Sequence, residues 1–215
     1  MKIKLGCKTR DAGRVFCIGM NYAEHVKELK NTPPDSPVIF MKPSSSLIKT
    51  GCHVPFPSHG SDLHFEAELV VMIGKGGRPA DESEARFFVE ALSLGLDLTL
   101  RDVQTRLRQS GHPWEISKAF DCSAPVGDFV PFDDSFDLRH ITFTCRVNGE
   151  LRQSGDSADM IFPVERLIYE IGKVWEFKRG DLIYTGTPSG VGSLQKGDTM
   201  LLSGKGIGSF SWQIV

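Results

Sequence analysis

The stretch His64-Phe65-Glu66-Ala67-Glu68-Leu69-Val70-Val71-Met72-Ile73-Gly74 carries two carboxylates directly into an apolar, β-branched segment. This composition, free of proline and closed by a glycine, predicts a β-strand. Because residues i and i+2 of a strand share a face, Glu66 and Glu68 would lie on the same side, with Cα atoms about 7 Å apart. Two carboxylates at that spacing can converge on a single cation.

The same pattern also fits a plain strand whose glutamate face is solvated and binds nothing. The main observation against that alternative is that the face continues into Val70 and Met72, which places the glutamates at the mouth of an apolar region. The stretch alone leaves both interpretations open.

A second carboxylate occupies a similar position further along. Residues 92–100 alternate leucine with small or polar residues, as a strand does, and Asp97 interrupts them. An unpaired ionised carboxylate in apolar surroundings is expensive, so Asp97 requires a cation or strong hydrogen-bond donors. The alternative, equally open at this point, is that Asp97 lies on a solvated face with Gly95 and Thr99.

Composition narrows the class of protein. A chain of 215 residues suits one domain with a substantial core. With a net charge of −2 and no basic block, we expect no nucleic-acid footprint and no electrostatic membrane anchor. No apolar run approaches the roughly 20 residues of a spanning helix. The five cysteines form no C-x-x-C pair and no signal peptide is evident, so we expect free thiols in a cytoplasmic protein.

Near the N-terminus the sequence predicts a short helix beside a loop. Asn21 is the expected cap, and the helix should run through His25, Glu28 and Leu29 before the prolines of residues 33–37 end it. Three residues apart, His25 and Glu28 share a helix face, either as a solvated surface pair or as part of a site. The proline-rich residues 33–37 would suit a mobile lid.

Other elements follow from spacing and turn chemistry. Asp81 or Ser83 should begin a helix whose apolar positions run to Leu92, and a second, polar helix should begin at Arg101. The Asn-Gly pair at 148–149 predicts a tight β-hairpin. A buried strand over 182–185 leads into the glycine-dense residues 186–192, where backbone N–H groups can approach an anion. Lys118 lies in an aromatic segment, either at the surface or as an electrophile beside an anionic substrate.

Seven short motifs of the chain, in their order, resemble those of a known family. The likeness is to the fumarylacetoacetate hydrolase family, and above all to its short acylpyruvase and oxaloacetate decarboxylase branch. Many other members have Asp-Tyr or Asp-Trp where this chain has His64-Phe65. The matching motifs span residues 13 to 215 in order: Gly19-Met20-Asn21-Tyr22-x2-His25, Phe40-x-Lys42-Pro43, Glu66-x-Glu68, Asp97-x3-Arg101-Asp102-x-Gln104, Pro113-Trp114-x3-Lys118-x-Phe120, Val147-Asn148-Gly149-Glu150 and Thr185-Gly186-Thr187-Pro188-x-Gly190-Val191-Gly192.

The resemblance implies an α+β fold: a β-rich roll of mixed sheets with short peripheral helices, in a homodimer. We expect one catalytic domain over residues 1–215, with residues 1–60 forming an N-terminal segment that carries the lid helix and 61–215 forming the core roll. The separate N-terminal domain of longer members is expected to be absent. The predicted excess of strands over helices agrees with this class.

The resemblance also implies a divalent metal held by Glu66, Glu68 and Asp97. Three hard oxygen anions favour Mg²⁺ or Mn²⁺ over Zn²⁺, and Ca²⁺ could substitute in a loose cage. A 2-oxo acid would chelate that metal, which would stabilise the enolate formed when the bond beyond C3 breaks. We therefore expect a hydrolase that cleaves a C–C bond in an acylpyruvate or related β-diketo acid.

In that scheme His25, oriented by Glu28, is the general base and Lys118 stabilises the oxyanion. The remaining expected substrate-binding residues are Arg101, Gln104, Thr187, Gly186 and Tyr22. Two alternatives stay open: an oxaloacetate decarboxylase or an isomerase or decarboxylase of an aromatic-degradation intermediate, and a non-catalytic, metal-stabilised binding protein.

Overall fold

The computed structural model of the chain describes residues 1–28 and 32–215, and short strands dominate it. The strands are β1 (Lys2–Leu5), β2 (Lys8–Asp11), β3 (Val15–Gly19), β4 (Val38–Lys42), β5 (Leu47–Lys49), β6 (His53–Val54), β7 (Leu63–Phe65), β8 (Ala67–Ile73), β9 (Val89–Leu96), β10 (Thr99–Leu100), β11 (Ala124–Val126), β12 (Val130–Pro131), β13 (Thr142–Val147), β14 (Glu150–Asp156), β15 (Leu182–Tyr184), β16 (Gly192–Leu194), β17 (Thr199–Gly204) and β18 (Gly208–Ile214). The helices are α1 (Ala23–Glu28), α2 (Glu82–Ala85), α3 (Arg101–Gln109), α4 (Glu115–Lys118) and α5 (Val164–Val174), with 3₁₀ turns at Ser44–Ser46, Arg86–Phe88 and Ser157–Asp159.

Strand β8 lies inside an eight-stranded mixed sheet of order β4-β3-β15-β8-β9-β11-β5, in which β12 also pairs with β9. One face of β8, with Leu69, Val71 and Ile73, packs into the larger hydrophobic core. The other face, with Val70 and Met72, packs into a smaller core. All residues of β8 are buried, so the solvated-face alternative is wrong.

The carboxylate stretch forms two strands rather than the one predicted, and the break falls at Glu66. Before it, β7 belongs to a three-stranded sheet with β10 and β16, whereas β8 belongs to the large sheet. A matching break separates β9 from β10 at Asp97 and Leu98. The Asp97 backbone N–H donates to the Glu66 carbonyl over 2.8 Å, so the two breaks lie side by side where the sheets meet.

The helix predicted from Asp81 to Leu92 is wrong beyond its first turns. Asp81 does cap it, accepting the Glu84 N–H over 2.9 Å, but α2 ends at Ala85 and a 3₁₀ turn ends at Phe88. Strand β9 then begins at Val89 and pairs with β8 on one side and β11 on the other. Long-range pairing between two neighbouring strands overrides the local helical spacing in this segment.

The second large sheet has the order β14-β13-β17-β18-β6. Its first hairpin turns at Asn148 and Gly149, whose φ angles of 53° and 85° confirm the predicted tight turn. Helix α5 begins at Val164, directly after Pro163, and ends at Val174. No helix of the described ranges is long and apolar enough to cross a membrane.

Candidate metal centre and active site

The two breaks between sheets bring three carboxylates together. Glu66, Glu68 and Asp97 are all buried, and each offers an oxygen that lies within 4.8 Å of the oxygens of the other two. Glu66 comes from the β7–β8 break, Asp97 from the β9–β10 break, and Glu68 from within β8. The fold therefore places Asp97 with the glutamate pair, and the alternative that it is solvated is wrong.

Two cationic side chains contact this acidic triad, one from α4 and one from α3. Lys118 Nζ, at the end of α4, lies 2.7 Å from Glu66 Oε2 and 2.7 Å from Asp97 Oδ2. Arg101, the first residue of α3, donates through Nη2 to Glu66 Oε1. Burial opposes ionisation of Glu66, but the nearby charges of Lys118 and Arg101 outweigh it and lower the pKa of Glu66 well below its usual value.

A third cation, Lys42, contacts the triad through Asp97. No role was predicted for it from the sequence. Its side chain is fully buried at the end of β4, with Nζ 2.7 Å from Asp97 Oδ1. The same Nζ donates to the carbonyls of Leu98 at 3.1 Å and Ser123 at 3.0 Å, and also to the carbonyl of Lys118. The sequence feature that could have pointed to Lys42 is its position at the end of an apolar strand, directly before Pro43.

Replacing Lys42 by methionine is expected to lower the free energy of unfolding by about 3 kcal/mol, because it leaves a buried carboxylate without one of its counter-charges. Urea unfolding of the metal-free protein measures the change. Lys75→Met is the matched control, since Lys75 is 44% exposed and pairs with Glu84 at 3.4 Å. A loss no larger than that of the control would show that Lys42 does not stabilise Asp97.

The donor set fits a hard divalent cation. Asp97 Oδ1 has no hydrogen-bond partner among the described residues, so its contact with Lys42 is an ion pair only. Burial, followed by the charges of Asp97 and Glu66, raises the pKa of Glu68 well above its usual value. A cation between the three carboxylates would give Asp97 Oδ1 a partner and would favour the charged form of Glu68. Carboxylate oxygens are the ligands that Mg²⁺, Mn²⁺ and Ca²⁺ take.

A histidine–carboxylate pair lies beside the triad. His25 Nδ1 and Glu28 Oε2 are 2.9 Å apart on α1, and His25 is only 4% exposed, so the solvated-pair alternative is wrong for the histidine. The Gly190 N–H donates to Glu28 Oε1 over 3.1 Å and ties the helix to the glycine-dense loop. Leu29, predicted in this helix, lies outside the described residues.

The prediction that Asn21 caps α1 is wrong. Its Nδ2 donates to the carbonyls of Phe162 at 3.0 Å and Thr185 at 2.8 Å, and its Oδ1 accepts the Phe162 N–H at 2.8 Å. These side-chain hydrogen bonds run to segments more than 140 positions away in the chain, so Asn21 joins the start of α1 to the rest of the fold. Local capping rules could not reveal this role.

A small cavity of about 70 Å³, the inner cavity, brings together five of the eleven predicted site residues: His25, Glu66, Arg101, Gln104 and Lys118. Arg101 Nη1 donates to Gln104 Oε1 over 2.6 Å, so α3 presents a linked pair to the cavity. The lining residues are Gly19, Met20, His25, Phe40, Glu66, Arg101, Gln104, Arg108, Trp114 and Lys118.

Three predicted substrate-binding residues do not line the inner cavity. The Gly186 N–H donates to Glu68 Oε2 over 2.8 Å, which positions the carboxylate. Thr187 Oγ1 donates to the Ala67 carbonyl over 2.9 Å and is 3% exposed. Tyr22 is also buried, and its hydroxyl has no partner among the described residues. These contacts place Gly186 and Thr187 beside the glutamate pair, whereas the Tyr22 hydroxyl makes no hydrogen bond to a carboxylate among the described residues.

Gln153 is another residue that the sequence analysis missed. It is 1% exposed; its Oε1 accepts the Ala67 N–H over 3.0 Å, and its Nε2 donates to Thr187 Oγ1 over 2.8 Å and to the Pro188 carbonyl over 2.8 Å. The side chain thus bridges the residue between the two glutamates and the glycine-dense loop. An amide at an inward-facing position of β14 was the only sequence signal.

The model of the fumarylacetoacetate (FAA) hydrolase C-terminal family matches residues 14–215. The chain belongs to this family. It is 42% identical over 191 residues to the oxaloacetate tautomerase YcgM of Escherichia coli (strain K12), across 88% of this chain and 87% of that protein. It is 40% identical over 188 residues to a mitochondrial oxaloacetate decarboxylase of Dictyostelium discoideum, across 87% and 86%.

Among solved structures, the fumarylpyruvate hydrolase from Pseudomonas aeruginosa, in complex with Mn²⁺ and pyruvate, matches with a TM-score of 0.95. The two chains are 36% identical, and the match covers 100% of this chain and 95% of that one. This likeness and the family match confirm the predicted fold class. They also establish that this fumarylacetoacetate hydrolase family chain belongs with enzymes that act on small molecules.

Proposed function

We propose that the chain is a divalent-metal-dependent hydrolase that cleaves a C–C bond in an acylpyruvate or a related β-diketo acid. One observation carries the proposal: His25, paired with Glu28, lines the same small cavity as Glu66 and Lys118. A site that only bound a metal would have no use for a buried histidine paired with a carboxylate, whereas hydrolysis requires a base to activate water.

The acidic triad of Glu66, Glu68 and Asp97 would hold Mg²⁺ or Mn²⁺, with Ca²⁺ as a substitute. When bound, such an ion acts as a Lewis acid that polarises the keto oxygen of a 2-oxo acid. Arg101 and Gln104, which share a 2.6 Å hydrogen bond beside Glu66, would orient the substrate carboxylate. We propose a positioning role at the carboxylates, without contact to the substrate, for Gly186, Thr187 and Tyr22.

His25 would take a proton from water as the water oxygen attacks the distal carbonyl carbon. A hydrogen bond from Nδ1–H to Glu28 leaves Nε2 as the basic nitrogen and favours the charged ring that forms. Lys118 would stabilise the oxyanion on the distal carbonyl. The bond between that carbon and C3 then breaks, its electron pair forms the pyruvate enolate, and the proton on His25 passes to C3. The products are pyruvate and a carboxylic acid.

A second candidate function is oxaloacetate tautomerisation or decarboxylation. The names of the two relatives at 42% and 40% identity favour it. Tautomerisation moves a proton at C3, and decarboxylation breaks the bond beyond C3 without an attacking water. Either reaction would use Arg101, Gln104 and the triad in the same way, so one site can support both functions.

A substrate panel tests the proposal. With Mn²⁺ present, acetylpyruvate, alone or together with fumarylpyruvate, is expected to be hydrolysed to pyruvate and a second acid, and a chelator should abolish the reaction. Turnover of oxaloacetate alone would support the second candidate instead. No turnover of any 2-oxo acid, with a melting temperature raised by metal alone, would identify a non-catalytic binding protein and refute both enzyme proposals.

Compartment and assembly are also proposals. The five cysteines are all unpaired, which supports a reducing compartment such as the cytoplasm. A homodimer is proposed from the family resemblance, and light scattering of the purified chain would give the mass that tests it.

A further inference from the structure

The inner cavity, at about 70 Å³, is much smaller than a neighbouring space of about 390 Å³. Glu66 and Lys118 line the inner cavity, so this space suits the 2-oxo acid end of a substrate. A longer substrate has room for its distal acyl group in the neighbouring space.

A larger space of about 390 Å³ adjoins the inner cavity, and we name it the acyl chamber. Phe40, Trp114 and Lys118 line both spaces, so the two spaces lie side by side. Lys118 Nζ, in contact with the carboxylates, lies 5.2 Å from the centre of the Phe40 ring, and that ring lies 5.9 Å from the Trp114 ring. The acyl chamber is lined by Val38, Ile39, Phe40, Met41, Gly111, His112, Pro113, Trp114, Glu115 and Lys118.

The lining of the acyl chamber is mostly apolar. Its apolar lining comes from residues 38–41 of β4 and from Pro113 and Trp114. Of the described residues in the lining, Lys118 is the one with a permanent positive charge, and its Nζ is held by Glu66 and Asp97. A terminal carboxylate in the chamber would lose hydration, would share Lys118 with Glu66, Asp97 and the oxyanion of the proposed reaction, and would also face the charge of Glu115.

We propose that the acyl chamber binds the distal acyl group of the substrate, and that this group is uncharged and apolar, an alkyl or aryl chain. This inference rests on the proposed function, because it takes the 2-oxo acid to lie at the triad. The edge-to-face pair of Phe40 and Trp114, at 65°, offers an aryl group ring surfaces on which to pack. The chain would then act on acylpyruvates with apolar tails in preference to those with a second carboxylate.

The test measures binding without turnover. Oxamate mimics a 2-oxo acid, and N-alkyl oxamates extend from it where the acyl group would lie. Calorimetry on the Mn²⁺-loaded protein is expected to show affinity rising about fourfold per buried methylene from N-ethyl to N-pentyl oxamate. An oxamate of equal length that ends in a carboxylate should bind more weakly than the alkyl compound.

Val38→Asp places a charge in the lining of the chamber, at the first residue of an edge strand. It is expected to lower the ratio of the affinity for N-pentyl oxamate to the affinity for oxamate at least tenfold. Val38→Ser is the milder variant and should lower this ratio less. Ile116→Asp is the matched control, because Ile116 is 61% exposed on α4 and does not line the chamber. The control should keep the full preference.

Several results would overturn the inference. One is equal affinity for oxamate and N-pentyl oxamate, and another is tighter binding of the compound with the terminal carboxylate. A third is a change of molecular mass in Val38→Asp by light scattering with the tail preference intact, which would make the chamber an interface with a second copy. Failure of the proposed function is a separate result: acylpyruvates would not be hydrolysed, whatever the oxamate series shows.

Discussion

Replacing Glu68 by glutamine is expected to weaken Mn²⁺ binding at least about 100-fold and to remove turnover of acetylpyruvate and oxaloacetate alike. Loss of a hydrogen-bond partner behind a metal ligand already costs 10–100-fold in affinity, so loss of a charged ligand should cost more. Both reactions depend on the same cation, which is why both should disappear together.

The glutamine variant keeps the shape of the side chain and an oxygen that can accept the Gly186 N–H. Because burial and two neighbouring carboxylates disfavour the charge of Glu68, removing that charge should change the free energy of unfolding of the metal-free protein by less than about 1 kcal/mol. Calorimetry with Mn²⁺ and urea unfolding measure the two effects separately. Glu150→Gln, at an exposed hairpin position, is the control, and unchanged Mn²⁺ affinity in Glu68→Gln would refute the ligand set.

The sequence predicted the site well where its residues are close in the chain. Glu66 and Glu68 were placed together by strand periodicity, and His25 and Glu28 by helix periodicity. Asp97 could be marked as needing a partner, because a charge within a leucine-rich strand requires one. Only the family resemblance connected it to the glutamates, since the two strand breaks that bring them together depend on how two sheets meet.

Predictions failed where distant contacts decide the conformation. The segment after Phe88 has apolar residues at helical spacing, yet it forms β9 because β8 and β11 offer it hydrogen-bonding partners on both sides. Asn21 has the chemistry of a helix cap, yet its amide joins Phe162 and Thr185. In both cases the local preference is worth about 1 kcal/mol or less, which one strand pairing or two buried hydrogen bonds can exceed.

The partners of Lys42 and Gln153, two buried polar residues next to the triad, could not be predicted from the sequence. Lys42 lies 55 positions before Asp97, and Gln153 lies 86 positions after Ala67, so no local pattern relates either pair. Both are polar side chains buried by the fold, and each satisfies several backbone groups at once. Such residues position the carboxylates rather than react, and the sites they support depend on them for geometry.

His25→Ala is expected to lower kcat for acetylpyruvate hydrolysis by about 10²–10⁴-fold, the usual contribution of a general base. Decarboxylation of oxaloacetate should fall much less, because it requires no attacking water. Mn²⁺ affinity should stay within about threefold of the native value, since the three carboxylates remain. This split between two reactions at one metal site would assign His25 to water activation rather than to folding or metal binding.

Two further variants sharpen the assignment. Glu28→Gln keeps an acceptor for the Gly190 N–H but removes the charge beside His25 Nδ1, so hydrolysis should fall by roughly 10–100-fold, less than in His25→Ala. His140→Ala, at an exposed position away from the inner cavity, should leave both reactions unchanged. If His25→Ala hydrolyses acetylpyruvate at near the native rate, or loses both reactions equally while Mn²⁺ still binds, then His25 is not the base that activates water.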